Sequence, residues 1–495
     1  MVETVGTLLI ASTLGPGAIT GIGAGSAFTG FFTTPIVFGI TGVSAIGTAA
    51  LVGASIGLNY ALSSTPTPKT EEGAQALKQA IPSRVRGYWT NRLAGTYMFY
   101  AAEGPGPNTS YDVIAFHHGL VTEISQIYLH DDLVTTTPSV ATGGFGTINI
   151  TPEGYYAGSR VDIEVRMGTF PQAAVLQGSP AVTAQWTTAM RGDGVAHAAL
   201  RCATLVEPAN HTEVYPRGKP ELSFVAKCSP VWDPRDPGQS PTNPATWLPS
   251  PNPVLQLLDF LIRPGLEGGM GHDRAKLFPP ARLAQWMVEA TLCDGKYESA
   301  GWYKFDNKPE DVVNKILATC DGYMVEDGEG GFALAVGVYR EPTEPPITDA
   351  HIVGWTINHG IADEQMVNQL DVSFTDPTQK YVSAQIDSVR DEASISLTGV
   401  VRAQPLDLSW VQDPGQAAIL GERALLRLNP AKSGSLVVTL AGFRWIGKRW
   451  VRLQFSAVNG LQNCVIEIQS SSVNILAGRI TFNFNTVDTA ALAGL

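Results

Sequence analysis

The stretch NPVLQLLDFLIRPG, residues 252–265, encodes a complete helix together with its start and stop signals. Asn252 is a residue type that caps helix N-termini, and Pro253 fits the first helical turn, where no intrahelical N–H bond is lost. Apolar side chains then recur at helical spacing: Val254, Leu257, Leu258, Leu261 and Ile262. Pro264-Gly265 ends the pattern. The stretch predicts a core helix in which Leu258 is buried and Gln256 tolerates replacement by alanine.

Two more amphipathic helices follow. One has its apolar face at Leu283, Trp286, Met287 and Ala290, after Pro279-Pro280. The other begins after Asn307 and Pro309, and its apolar face comprises Val312, Val313, Ile316, Leu317 and Cys320. Strand patterns at 323–326 and 332–339 then flank an Asp-Gly turn, which indicates a hairpin. These elements predict an α+β unit whose helices belong to the core and form no cofactor site.

The rest of the body has strand periodicity on both sides of this unit. Val161, Ile163, Val165 and Met167 alternate with polar residues, as in a half-buried strand. Near the C-terminus the same alternation occurs at Val451, Leu453 and Phe455, at Val465, Ile466 and Ile468, and at Ile480, Phe482 and Phe484. We therefore predict a mainly β multidomain protein (α+β), and the length of 495 residues fits roughly three to four units.

Composition excludes several functions. The chain has 33 basic and 45 acidic residues, a net charge of −12, so it lacks the positive charge that grips phosphate backbones. Its five cysteines include no CxxC pair, and no HExxH motif is present. We nominate no catalytic residue, no metal ligand and no cofactor, and we expect the cysteines to be small buried thiols.

The N-terminal segment from Thr4 to Pro68 contains no charged residue. Two apolar stretches, each long enough to cross a bilayer, flank a turn at Thr33-Thr34-Pro35. The residues that define this hairpin are Gly17, Gly21, Gly25, Pro35, Gly53 and Gly57, with small-xxx-small spacing among the glycines. The segment predicts a helical hairpin that either packs inside an assembly or enters a membrane. A signal peptide is not expected, because no basic residue precedes Lys69.

Short motifs in a fixed order resemble a known family. They are Trp232-Asp233-Pro234-Arg235, Thr246-Trp247 and Asn252-Pro253, followed by Asn368–Phe374 with Asp376-Pro377. In this order they resemble the siphophage tail-tip hub proteins, the group of the lambda host-specificity protein J, over about residues 88–473. The chain ends at Leu495 without the long receptor-binding extension of that family, so we expect no direct receptor recognition.

The resemblance implies a structural virion protein at the distal end of a long, non-contractile tail. It implies a homotrimer in which two tube-like β domains per chain form a pseudo-sixfold ring. The implied partners are the distal tail protein, other tail-tip proteins, the tape-measure protein and, transiently, the host membrane, with no sequence-specific binding of nucleic acid. The predicted domains are the hairpin (1–62), a linker (63–87), a first β hub domain (88–205), an inserted α+β domain (206–346), a second β hub domain (347–473) and a C-terminal tail (474–495).

Two other classes of function remain open at this point. One is a tail-associated peptidoglycan hydrolase, for which the body offers no catalytic motif. The other is a membrane-channel protein built on the N-terminal hairpin. Zymography separates the first alternative from a structural role, and release of liposome contents by the hairpin peptide tests the second.

A charge inside the hairpin tests its membrane role. Lysine in place of Ala49, near the middle of the second apolar stretch, costs about 2.5–3.5 kcal/mol at the centre of a bilayer. We expect phage carrying Ala49→Lys to adsorb normally and to fail in DNA delivery, measured as infection per adsorbed particle. Infection at the wild-type rate would leave the hairpin as a structural seal only.

Overall fold

The computed structural model describes residues 83–103, 109–150, 156, 160–177, 180–203, 215, 217–361 and 366–495. The predicted hairpin (1–62), with all six of its defining residues, lies outside the described residues, as does nearly all of the predicted linker (63–87). Within the described part the protein is mainly β, as the sequence predicts. None of the described helices is long and apolar enough to cross a membrane.

Nine described strands form the first sheet, in the spatial order β2-β10-β5-β6-β7-β8-β9-β4-β3. Their bounds are β2 (Thr90–Leu93), β3 (Thr96–Glu103), β4 (Thr109–His118), β5 (Glu123–Leu129), β6 (Asp132–Thr137), β7 (Gly144–Ile150), β8 (Val161–Met167), β9 (Val195–Ala203) and β10 (Leu222–Lys227). A short helix α1 (Pro180–Thr183) precedes β9. Strand β10 belongs to this sheet although it lies in the range 206–346, which the sequence assigns to the inserted unit.

The predicted alternation holds in the first sheet. Val161, Ile163 and Val165 of β8 are fully buried, and they pack in one core with the rings of Phe116 and Phe224, whose centroids are 4.7 Å apart. Gly95 separates β2 from β3 at φ +81°, and a Cβ there would lie 2.1 Å from the carbonyl oxygen of Ala115. The tight turn at the sheet edge therefore requires glycine.

The three predicted helices are present in the middle of the chain. They are α2 (Pro253–Ile262), α4 (Pro280–Cys293) and α5 (Pro309–Thr319), with a short α3 (Arg274–Leu277) before α4. The predicted hairpin follows as β12 (Tyr323–Glu326) and β13 (Phe332–Ala335), and β11 (Gly301–Lys304) pairs with β1 (Val85–Tyr88). The indole N–H of Trp286 donates to the carbonyl oxygen of Phe332 at 2.9 Å, which joins helix α4 to the hairpin.

A four-stranded sheet shares its core with these helices. It comprises β16 (Gln369–Asp376), β17 (Val382–Gln385), β18 (Val389–Arg390) and β19 (Ala403–Leu408), with helices α6 (Glu392–Thr398) and α7 (Pro414–Leu428). Leu370 and Leu406 of this sheet lie in the same buried cluster as Leu258 and Ile316 of the helices. Gln416 of α7 donates to the carbonyl oxygens of Glu298 and Thr319, at 2.9 and 2.7 Å. The helices and this sheet therefore fold around one core.

Six described strands form the last sheet, in the order β14-β21-β22-β23-β20-β15. They are β14 (Ile347–Thr348), β15 (Ile352–His359), β20 (Lys432–Thr439), β21 (Trp450–Gln454), β22 (Cys464–Asn474) and β23 (Arg479–Thr486), followed by α8 (Thr489–Gly494). The range 474–495, assigned from sequence to a C-terminal tail, thus contains strand β23 in the sheet interior. Ile480, Phe482 and Phe484 bury one face of that strand, which explains its position.

The first and last sheets share one strand path. In the first sheet β3-β4-β9-β8-β7 are neighbours, and in the last sheet β15-β20-β23-β22-β21 are neighbours. When only these five strands of each sheet are numbered along the chain, both paths read 1-2-5-4-3, and every pairing in both is antiparallel. Strands β5 and β6, which lie between β4 and β7 in the chain, extend the first sheet beyond β7. In both, the first strand lies at the sheet edge and carries a β-bulge near its start, at Met98 in β3 and Val353 in β15. The chain therefore contains two β units of the same topology.

A buried ionic cluster joins the last sheet to the helical core. Asp321, directly after α5, accepts hydrogen bonds from Arg423 and Arg427 of α7 and from Arg449 before β21. Glu467 of β22 accepts from Arg449 at 2.6 Å and from Arg427 at 3.0 Å. All five side chains are at most 4% exposed. Burial alone raises the pKa of Asp321, but the three guanidinium groups outweigh burial and hold this pKa well below its usual range.

The structure corrects one expectation about helix α2. Gln256 is fully buried, and its side-chain N–H donates to the carbonyl oxygens of Ser250 and Ser299 at 2.9 and 2.7 Å. Replacement by alanine leaves both carbonyls without these donors, so the expected tolerance of Gln256→Ala is wrong. The apolar stripe alone did not reveal that the polar side of this short helix is also covered.

Leu258→Ala tests the burial of helix α2. Leu258 is 1% exposed, so removing its side chain should lower the free energy of unfolding by about 2–5 kcal/mol, as measured by urea denaturation. Leu266→Ala is the matched control, because Leu266 lies just beyond the same helix and is 84% exposed. Equal effects of the two changes would contradict the assignment of α2 to the core.

Candidate functional site

Three of the predicted motif residues, Asp233, Arg235 and Asn252, form a hydrogen-bond network at the C-terminal end of helix α4. Asp233 accepts hydrogen bonds from the Arg235 backbone N–H at 2.9 Å and from its guanidinium Nη2 at 2.8 Å. Nη1 of Arg235 donates to Oδ2 of Asp294 at 2.6 Å and to Oγ1 of Thr291 at 3.2 Å. The hydrogen bonds to Asp233 raise the pKa of Arg235 above its ordinary value. The Asp233-Pro234-Arg235 turn is thereby fixed to the helix end.

Asn252 connects the same helix end to helix α2. Its Oδ1 accepts from the backbone N–H groups of Val254 and Leu255, as the predicted cap requires. Its Nδ2 donates to the carbonyl oxygen of Ala290 and to Oδ1 of Asp294, both at 2.7 Å. Asn252 is only 4% exposed, and both the oxygen and the nitrogen of its side-chain amide are hydrogen-bonded inside the protein. Pro253 occupies the first helical turn, as predicted.

The two motif tryptophans lie beside arginine side chains. The guanidinium of Arg274 is 5.3 Å from the ring centroid of Trp232, and that of Arg263 is 5.7 Å from the ring of Trp247. The indole N–H of Trp247 also donates to the carbonyl oxygen of Ser240 at 2.7 Å. These contacts close the loop between Val231 and Leu248, whose backbones form an isolated bridge.

A second buried charge group attaches helix α2 to strand β1. Asp259 accepts from Tyr88 Oη at 2.8 Å and from Arg263 Nη2 at 2.6 Å. Burial alone lowers the pKa of Arg263, but the Asp259 carboxylate outweighs burial and raises it. Nearby, Arg86 donates to the carbonyl oxygen of Glu267 at 3.1 Å. Helix α2 and the segment after it are thus linked to β1, and Arg86 extends the link to the first sheet, because it also donates to the carbonyl oxygen of His118 in β4 at 3.3 Å.

The structure brings the predicted motif residues together as a scaffold. Trp232, Asp233, Pro234, Arg235, Trp247, Asn252 and Pro253 all lie in the loop 231–252 or at the start of α2. Asp294, the acceptor shared by Arg235 and Asn252, was not predicted. A carboxylate just after a helix C-terminus is unfavourable for the helix dipole, and this was the available signal that Asp294 has specific partners.

Other polar groups that invite a functional reading make contacts within the fold. His117 is buried between the carbonyl oxygens of Gly119 and Gly87, and burial lowers its pKa to about 3. Arg191 pairs with Asp193 inside its own turn. In the described ranges no group of three or more His, Cys, Asp or Glu residues could hold a metal ion. Cys202, Cys228, Cys293 and Cys320 are buried, as expected for structural thiols, and Cys464 is half-buried.

The exposed edges of the two β units are the remaining candidate surfaces. In the parts of the chain that the structure describes, no strand pairs with the outer side of β3 or of β15. Tyr100 on β3 is 71% exposed and Trp355 on β15 is 52% exposed. Apart from Glu103 and His359 at their ends, neither strand has an ionisable group that commonly protects an edge, since both lack Lys, Arg and Asp.

Comparison with known proteins gives a shared fold. No protein-family model matches the chain, and no curated protein matches its sequence. Its fold is similar to that of one chain in the virion of a native gene transfer agent particle, with a TM-score of 0.55 and 11% identity over 95% of this chain and 98% of that chain. Two tail proteins also match, each with a TM-score of 0.27, 11% identity and 83% of this chain covered. One is the 43 kDa tail protein of prophage MuSo2 from Shewanella oneidensis, and the match covers 99% of that chain. The other is the tail protein from Neisseria meningitidis MC58, and the match covers 98% of that chain. Their scores are too low to establish a shared fold.

Asn252→Asp tests the motif network. The new carboxylate keeps the cap but turns one oxygen toward the Ala290 carbonyl and the Asp294 carboxylate, so the variant should lose about 3 kcal/mol or more of unfolding free energy. Asn243→Asp is the matched control, because Asn243 caps the exposed 3₁₀ turn Pro244–Thr246 of the same loop through its Oδ1. The control should change stability by less than about 0.5 kcal/mol. Equal urea midpoints for both variants would show that the network is not stabilising.

Proposed function

We propose that this protein is a structural virion component, the central hub at the distal tail tip of a long, non-contractile phage tail. In this role it forms a homotrimer, adapts the sixfold tail tube to a threefold tip, closes the channel and takes part in DNA delivery. No enzymatic activity is part of the proposal. The particle partners are the distal tail protein, other tail-tip proteins and the tape-measure protein.

The observation that carries the proposal is the repeated strand path. One chain holds two β units of the same topology, at about 96–203 and 352–486. A trimer therefore presents six β units of one kind, which is the number needed to meet a sixfold ring. The helical core and the motif loop occur once per chain, so they repeat only three times around the same axis.

Two further observations support the proposal. The fold is shared over nearly the whole chain with a component of a virion. The net charge of −12 suits a channel lining, because acidic walls repel the phosphates of passing DNA. The uncharged segment 4–68 supplies an apolar stretch for closing the channel and for transient contact with the host membrane.

The copy number and position in purified particles test the proposal. We expect quantitative mass spectrometry to give three copies per particle, and a reconstruction of the tail to place them at the end far from the capsid with threefold symmetry. Six copies, a position on the capsid or tail shaft, or absence from the particle would contradict it. A zymogram with peptidoglycan should show no clearing by the full chain.

A further inference from the structure

We propose that the outer edges of β3 and β15 are the same docking surface, present twice in each chain. Each edge takes one β-strand from a subunit of a single partner protein that is arranged with sixfold symmetry. This proposal rests on the proposed function, because it uses the trimer to count the edges. It adds where the contact lies and which groups make it, and it states that both edges bind the same protein.

The two edges are equivalent by topology. Strand β3 is the first strand of the first β unit, and β15 is the first strand of the second. Both strands have eight residues and pair on their inner side with the next strand of the unit. The bulge residue, Met98 in β3 and Val353 in β15, is followed two positions later by an exposed aromatic residue, Tyr100 and Trp355 respectively.

The chemistry of both edges suits an added strand. The bulge residues are themselves exposed and apolar, at 41% for Met98 and 44% for Val353. Beyond the bulge, residues 99–103 of β3 and 354–359 of β15 pair without interruption with the neighbouring strand of the sheet. A regular edge of this kind, with no Lys, Arg or Asp and with Glu103 only at the end of β3, offers backbone N–H and C=O groups for pairing, and a flanking aromatic side chain adds apolar area. The opposite edges of the two sheets, β2 and β14, have only four and two residues.

Symmetry and strand length argue against pairing between copies of this chain. Units of a ring can pair head-to-tail through two different edges, but the other sheet edges here, β2 and β14, have only four and two residues. Two equivalent edges can pair with each other only across a local twofold axis, whereas units around a ring are related by rotation about one common axis. The β3 edge of one chain therefore cannot pair with the β15 edge of the next while the ring is kept. Two edges in each of three chains make six equivalent sites, so the partner must present the same strand six times.

Site-specific photo-cross-linking in assembled particles tests this inference. p-Benzoylphenylalanine replaces Tyr100 in one variant and Trp355 in a second, and the particles are irradiated and analysed by mass spectrometry. Replacement of Phe170 is the control, because Phe170 is 81% exposed but lies outside all strands. We expect the Tyr100 and Trp355 variants to cross-link to one and the same other protein, and the Phe170 variant not to cross-link to it.

The outcomes separate this inference from the proposed function. The shared docking surface is overturned if the two edges cross-link to different proteins, if either cross-links to another copy of this chain, or if only one edge or neither cross-links. In each of these cases the hub role still stands if the chain is in the tail tip. If a variant no longer enters particles, p-benzoylphenylalanine is placed instead at the bulge residue of the same strand, Met98 or Val353. The cross-links of that second variant are interpreted in the same way. Absence of the unmodified chain from the tail tip overturns the proposed function itself.

Discussion

The buried cluster around Asp321 is the interaction on which the arrangement of the chain depends. Asp321, in the loop after α5, binds arginines that lie 102, 106 and 128 residues further along the chain, two in helix α7 and one just before β21. Two of these arginines, Arg427 and Arg449, also bind Glu467 of β22 in the last sheet. Three guanidinium groups surround two carboxylates with almost no access to water. Removing one member of such a group leaves buried charge uncompensated, whereas an apolar replacement of the whole group need not be unstable. The cluster therefore specifies one orientation of the last sheet against the helical core.

That orientation matters because the chain repeats one β unit. Arg86 of β1 attaches the first unit to the same core, because it donates to the carbonyl oxygens of Glu267 after α2 and of His118 in β4. The helical core is thus held to the last sheet through buried ion pairs and to the first unit through the hydrogen bonds of Arg86, and the motif loop is held to the core through Asp294. Two equivalent units fixed to a single rigid centre are what a chain needs if it is to occupy two neighbouring positions of a ring.

Local signals explain how much could be predicted from the sequence. The cap at Asn252 and the stripe that includes Leu258 predict helix α2 correctly, because both depend on neighbouring residues. The repeated strand path was not visible, since 360–431 separate the first strand of the second unit from the other four. Asp321 and Asp294 acquire their roles from residues far along the chain, and the only local sign is the position of the Asp294 carboxylate just after the C-terminus of α4, which does not reveal its partners. Gln256 was misread because burial on the polar side of a helix depends on what packs there. Edge exposure at Tyr100 and Trp355 likewise follows only from strand order.

Unfolding of Asp321→Asn in the full chain tests the central claim, that the cluster fixes the last sheet to the helical core. Hydrogen exchange during urea denaturation reports separately on the amides of β22 and β23 and on those of α5. In the wild type we expect both sets to lose protection at one urea concentration. In the variant we expect a loss of about 3–5 kcal/mol and two separate transitions, with the last sheet released from the helices. A single transition within about 1 kcal/mol of the wild type would contradict the account.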